Sequence, residues 1–217
     1  MSAITLWQGT LPPVNRQEAL RYAGVRQEIP EVTALFEECL ALCQNSLTPR
    51  ACYAVYPIAR KEETLDLGFA SVQSSALRRN LAGCDEMILF AATIGLEMDR
   101  LIARYARLSP ARSVMLQAIG TERIETLCDT LEEMWIAQGY QLRPRFSPGY
   151  GDLPLDLQTR IFEALDCSRR IGVSLNESLL MSPSKSVTAI VGVGEENGER
   201  CAHNCAACQL QECLYRR

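Results

Sequence analysis

Six consecutive apolar residues, Met87 to Ala92 in the stretch GCDEMILFAAT, leave little choice of environment. The run falls far short of the roughly 20 apolar residues that span a bilayer. It also lacks the apolar–polar alternation of a strand with one wet face, so it reads as a strand buried on both faces. Such a strand needs apolar layers above and below it. CYAVYPI, Cys52 to Ile58, is rich in β-formers and reads as another strand; so do Leu179 to Met181 and Ser186 to Val193, on either side of the turn-prone Ser182-Pro183-Ser184.

Helical signals supply the layers. Asn15 with Glu18 three residues on makes a capping-box-like start. From Pro30, the spacing of Val32, Leu35, Phe36, Cys39, Leu40 and Cys43 marks one buried helix face. Gly95 opens a further helix. Ser109-Pro110 then opens a long one towards Gly139, with Ile124, Leu127, Cys128, Leu131 and Trp135 as its apolar stripe. Cys39, Cys43 and Cys128 are expected in the core as small hydrophobes, whereas Asp129, Glu132 and Glu133 are expected on a solvated face. Arg143 to Pro154 holds three prolines and two glycines and reads as a shaped loop, followed by a helix from Leu155 to Leu165. The pattern is α+β.

The chain has 217 residues, which suits one domain with a small appendage: residues 1–194, then a polar linker and tail over 195–217. A net charge of −4 argues against nucleic-acid or anionic-membrane binding. The stretch MSAITLWQGTLPPVNRQEALRY lacks the basic start and long apolar run of a secretory signal, so a cytoplasmic location is expected. No phosphate-loop motif is present, and with one histidine, His203, no Ser/His/Asp or Cys/His hydrolase arrangement is credible.

Ten cysteines are unusual here, and four of them, Cys201, Cys205, Cys208 and Cys213, crowd into CAHNCAACQLQEC with spacing C-x3-C-x2-C-x4-C. Soft thiolates packed this closely in a reducing compartment point to one metal centre. The compact run suits a [4Fe–4S] cluster. Zinc is the alternative, although structural zinc sites more often pair two knuckles across a longer loop. His203 inside the run reads as a bystander to four thiolates.

Within the shaped loop, Arg145 offers a fork for a carboxylate and Gly149 allows close backbone approach or positive φ. Pro148 stiffens the loop, and Tyr150 offers a ring for stacking plus a hydroxyl. Physics alone leaves a structural Pro-Gly turn and a ligand loop equally open. The pattern R-x-x-x-G-Y, present as Arg145, Gly149 and Tyr150, resembles the S-adenosylmethionine-binding motif of the activation domain of cobalamin-dependent methionine synthase. The downstream DLQTRIFEALDCSRRIGVSLNES and MSPSKSVTAIVG are similar to the segments that follow the motif in that family. Upstream, RIETLCDTLEE is similar to its helix with an acidic ligand contact, for which Glu125 is the counterpart. The resemblance spans Ser109 to Gly192, with a looser match before it. The chain departs at Gly151, where the family has proline, and it offers no counterpart to an N-terminal aspartate contact. The tail is like that of shorter, stand-alone relatives.

The resemblance implies helices around a mainly antiparallel sheet and a bound S-adenosylmethionine. Arg145 would anchor the methionine carboxylate or nearby backbone, Pro148, Gly149 and Tyr150 would shape the pocket, and Glu125 would hold the ammonium or ribose. It implies reductive reactivation of a cobalamin or corrinoid methyltransferase, with methionine synthase foremost, and an electron donor such as ferredoxin or flavodoxin feeding the tail cluster. The rival reading is a docking adaptor for a corrinoid protein, with a structural zinc tail and no bound S-adenosylmethionine.

Overall fold

The computed structural model describes residues 3–194. In chain order the first elements are β1 (Thr5–Gln8), α1 (Arg16–Tyr22), α2 (Pro30–Cys43), β2 (Arg50–Pro57), β3 (Ala59–Arg60), β4 (Leu65–Asp66), β5 (Ser71–Val72) and α3 (Ser75–Asn80). There follow β6 (Glu86–Thr93), α4 (Glu97–Leu108), α5 (Pro110–Ala137), α6 (Leu157–Leu165), α7 (Cys167–Ile171), β7 (Ser174–Leu175), β8 (Met181–Ser182) and β9 (Ser186–Val193). The expected cysteine-rich module, with Cys201, Cys205, Cys208 and Cys213, lies outside the described residues.

Four strands form one antiparallel sheet in the order β1-β2-β6-β9. β6 sits between β2 and β9, with Phe90 opposite Tyr53 and Ala189. Successive side chains on a strand point to opposite faces. Ile88, Phe90 and Ala92 therefore enter one core with α1, α2, α4 and α5, while Met87, Leu89 and Ala91 enter a second core with α3, α6 and α7. Two cores explain the uninterrupted apolar run. Trp135 of α5 is fully buried in the first, edge-on to Tyr53 and Phe90 at centroid distances of 5.2 and 5.5 Å. Cys39, Cys43 and Cys128 lie in that core as free thiols, as expected.

Two local expectations change. Asn15 Oδ1 accepts the Glu18 N–H at 3.2 Å, but the Asn15 N–H goes to Glu122 Oε1 of α5 at 2.9 Å, not back to Glu18. Glu122 and Arg123 form a buried pair at 2.5 Å, and Arg123 also donates to the Pro12 carbonyl at 2.6 Å, which ties the N-terminal strap to α5. Leu179–Met181 is not a strand. Leu179 has φ of +61°, and the Asn176 side chain accepts the N–H groups of Ser178 and Leu180, both at 2.9 Å. That Asx turn takes the backbone out of the extended region, leaving Met181–Ser182 to pair with β7.

Candidate ligand site at the Arg145 loop

After α5 the chain returns along the free edge of β9. Phe146 N–H donates to the Ile190 carbonyl and Ile190 N–H to the Phe146 carbonyl, both at 2.9 Å. Phe146 packs against the second core, and its neighbour Arg145 points the other way, onto α5.

There Arg145 meets three carboxylates spaced i, i+4 and i+7 on one face of the helix. Nη2 donates to Glu125 Oε2 at 3.2 Å and Nη1 to Asp129 Oδ1 at 2.9 Å, with Glu132 Oε1 3.2 Å from Nη1. The structure thus brings together Arg145 and Glu125, the two charged residues expected to hold ligand. It corrects the reading of Asp129 and Glu132 as merely solvated, because both are counter-ions of Arg145; Glu133 is exposed as expected. Burial works against the Arg145 charge, but the negative groups around it, Glu132 and Asp129 among them, more than offset it and raise its pKa above the ordinary value. Burial keeps Cys128 a neutral thiol by pushing its pKa up, so the carboxylates do the offsetting. Burial also raises the Glu132 carboxyl, against the pull of Arg145.

The rest of the motif forms a tight turn. Pro148 is buried, and Gly149 has φ of +89° with its N–H donating to the Leu153 carbonyl at 2.9 Å. Tyr150 is 66% exposed, its ring centroid 6.5 Å from that of Phe146. The turn offers the Tyr150 ring to solvent on the Phe146 side of the loop. Gly151 has φ of +56°, and a Cβ there would lie 2.8 Å from the Ala76 Cβ.

Asp152 is the anchor that the sequence did not reveal. It accepts from Ser74 Oγ (2.5 Å), Ser75 N (2.8 Å), Ser75 Oγ (2.6 Å) and Ala76 N (3.0 Å), capping α3 from a distant loop. These bonds, led by the Ser74 hydroxyl, hold its carboxyl well below the usual carboxylate range.

Glu125 and Asp129 do double duty, pairing with Arg145 while lining a cavity of ≈ 500 Å³ between α1 and α5. Asn15, Glu18, Arg21, Tyr22, Glu122 and Thr126 complete its wall. The size suits a small ligand and the acidic wall suits one carrying positive charge. Among the described residues no group of three or more His, Cys, Asp or Glu side chains is placed to hold a metal ion, and no helix is long and apolar enough to cross a membrane.

The family described as the activation domain of vitamin B12 dependent methionine synthase matches residues 76–217, more than half of the sequence, and the chain belongs to it. The match takes in Arg145, Gly149 and Tyr150 and runs through the four tail cysteines. A crystal structure of the MetH reactivation domain bound to AdoHcy aligns with a TM-score of 0.67 at 17% identity, covering 91% of this chain and 80% of that one; the likeness is one of fold. No curated protein matches the chain.

Proposed function

We propose that this protein binds S-adenosylmethionine and reductively reactivates a cobalamin- or corrinoid-dependent methyltransferase, with methionine synthase as the foremost partner. The observation that carries the reading is the meeting of Arg145 and Glu125, 3.2 Å apart, beside a cavity of ligand size. Family membership gives that meeting its chemical sense, and a structural relative holds AdoHcy, the species left when S-adenosylmethionine gives up its methyl group.

A corrinoid that has stalled as cob(II)alamin needs one electron and a methyl group. The added electron gives cobalt the pair that displaces the methyl carbon from sulfonium sulfur, leaving a neutral thioether. The chain's contribution is positioning. Arg145 anchors the ligand carboxylate through its fork, and Glu125 faces the ammonium or ribose. Pro148 and Gly149 set the turn, and Tyr150 presents its ring for stacking. The four tail thiolates, Cys201, Cys205, Cys208 and Cys213, have the donor chemistry for a [4Fe–4S] cluster, with zinc as the alternative. When bound, such a cluster supplies one-electron transfer, drawing on a ferredoxin or flavodoxin. In this reading residues 1–194 form the ligand-binding domain and 195–217 the linker and metal tail.

The test is calorimetric titration of S-adenosylmethionine into anaerobically purified protein, with iron and zinc measured on the same sample. Saturable binding with about four irons per chain supports a redox-competent reactivase. A colourless zinc protein with no binding supports the docking adaptor instead.

A further inference from the structure

The three carboxylates around Arg145 are not alike. Glu125 and Asp129 also line the cavity, with side chains 37% and 55% exposed, and each accepts an aligned hydrogen bond from the guanidinium. Glu132 is more buried. Its Oε1 lies 3.2 Å from Arg145 Nη1, and that oxygen receives no well-aligned hydrogen bond among the described residues. Arg145 is thus the counter-charge that holds Glu132 in place. The groups that bear on it are Arg145 from the loop, with Asp129 and Glu125 from its own helix, so its attraction comes from Arg145 and its repulsion from its neighbours.

One guanidinium already faces three carboxylates, and a ligand carboxylate would be a fourth. The anion most costly to leave without a counter-charge is the most desolvated one. We propose that Glu132 is the positioning residue of the Arg145 site: it holds the guanidinium when no ligand is present, and takes up a solvent proton when a ligand carboxylate claims Arg145. The inference rests on the S-adenosylmethionine reading above. Burial already biases the Glu132 carboxyl towards its neutral form in the free protein, and losing Arg145 to the ligand moves it further the same way. Binding and protonation are then linked, so affinity falls as pH rises through the Glu132 titration, by up to about tenfold per pH unit for one proton.

The experiment is calorimetric titration of S-adenosylmethionine into the full chain between about pH 5.5 and 8, in buffers of different ionisation enthalpy, for wild type and Glu132→Gln. The amine of the ligand titrates alike in both proteins, so the difference isolates Glu132. Wild type is expected to take up close to one proton on binding, seen as a buffer-dependent enthalpy. Glu132→Gln is expected to lose that uptake, to flatten the pH slope, and to bind at the upper pH at least as tightly as wild type. Saturable wild-type binding without proton uptake overturns the proposal, and this readout needs no variant. A variant that keeps the wild-type slope, or is weakened equally at every pH, also overturns it while leaving ligand binding intact. Absence of wild-type binding overturns both this inference and the function on which it rests.

Discussion

Arg145 Nη2 stands 3.2 Å from Glu125 Oε2, joining the R-x-x-x-G-Y loop to a helix residue 20 positions upstream. Through this contact Arg145 reaches a helix face whose Glu125 and Asp129 also line the cavity. Arg145→Ala should lower S-adenosylmethionine affinity about 10- to 100-fold, the usual worth of one or two hydrogen bonds to a charged group. Arg145→Lys keeps the charge without the fork and should recover only part of the loss. Calorimetry decides; unchanged affinity in the alanine variant would remove Arg145 from the site.

Gly151 follows Tyr150 in the turn, and its φ is +56°. Proline is locked near −65° and cannot adopt that conformation. Gly151→Pro should therefore destabilise the fold by about 1–3 kcal/mol, the usual cost of an incompatible backbone, and loosen the turn that carries Tyr150. Thermal melting reads the first effect and ligand titration the second. A variant as stable as wild type would mean that the loop reaches negative φ at position 151 without cost.

Asp152 links the same turn to α3 through Ser74, Ser75 and Ala76. Its carboxyl is held below the ordinary range when folded, so its charge-dependent stabilisation is present above the unfolded value of about 3.9 and fades as pH falls through the folded one. Asp152→Ala should lower the melting temperature at neutral pH, and the gap from wild type should narrow in acid. A gap that is constant with pH would show that the ionised carboxylate contributes nothing.

Replacing Cys201, Cys205, Cys208 and Cys213 with serine should abolish bound iron or zinc and leave S-adenosylmethionine binding as it was, since the partners of Arg145 among the described residues all lie on α5. Metal analysis and calorimetry on the same preparation separate the two effects. Retained metal would show that the ligands lie elsewhere, and unchanged reductive methylation would rule out the tail as the electron relay.

The elements legible in the sequence were those whose burial is written locally. MILFAA declared a two-faced strand because both of its faces meet a core, and the stripe ending at Trp135 declared α5 because one face meets the first core. Asp129 and Glu132 were misread because polarity within a helix shows which face is polar, not whether a later loop returns to it; Arg145 does, from 16 and 13 positions downstream. Asp152 was silent for the same reason, since its partners at Ser74 and Ser75 lie 78 and 77 residues upstream. β1 escaped notice because four residues at a sheet edge, three of them exposed, carry no burial pattern. The family resemblance singled out both Arg145 and Glu125, which the fold brings to 3.2 Å, whereas the other counter-ions of Arg145 needed the fold.

The central claim is tested most directly by following a labelled methyl group. Anaerobic protein would be incubated with a corrinoid methyltransferase held as cob(II)alamin, a reduced ferredoxin or flavodoxin, and S-adenosylmethionine isotopically labelled at the methyl carbon. The account predicts label on the cobalamin of the partner in the presence of this protein, and a much lower yield with Arg145→Ala. Cobalamin that stays unlabelled with wild-type protein, while S-adenosylmethionine and electrons are in supply, would contradict it.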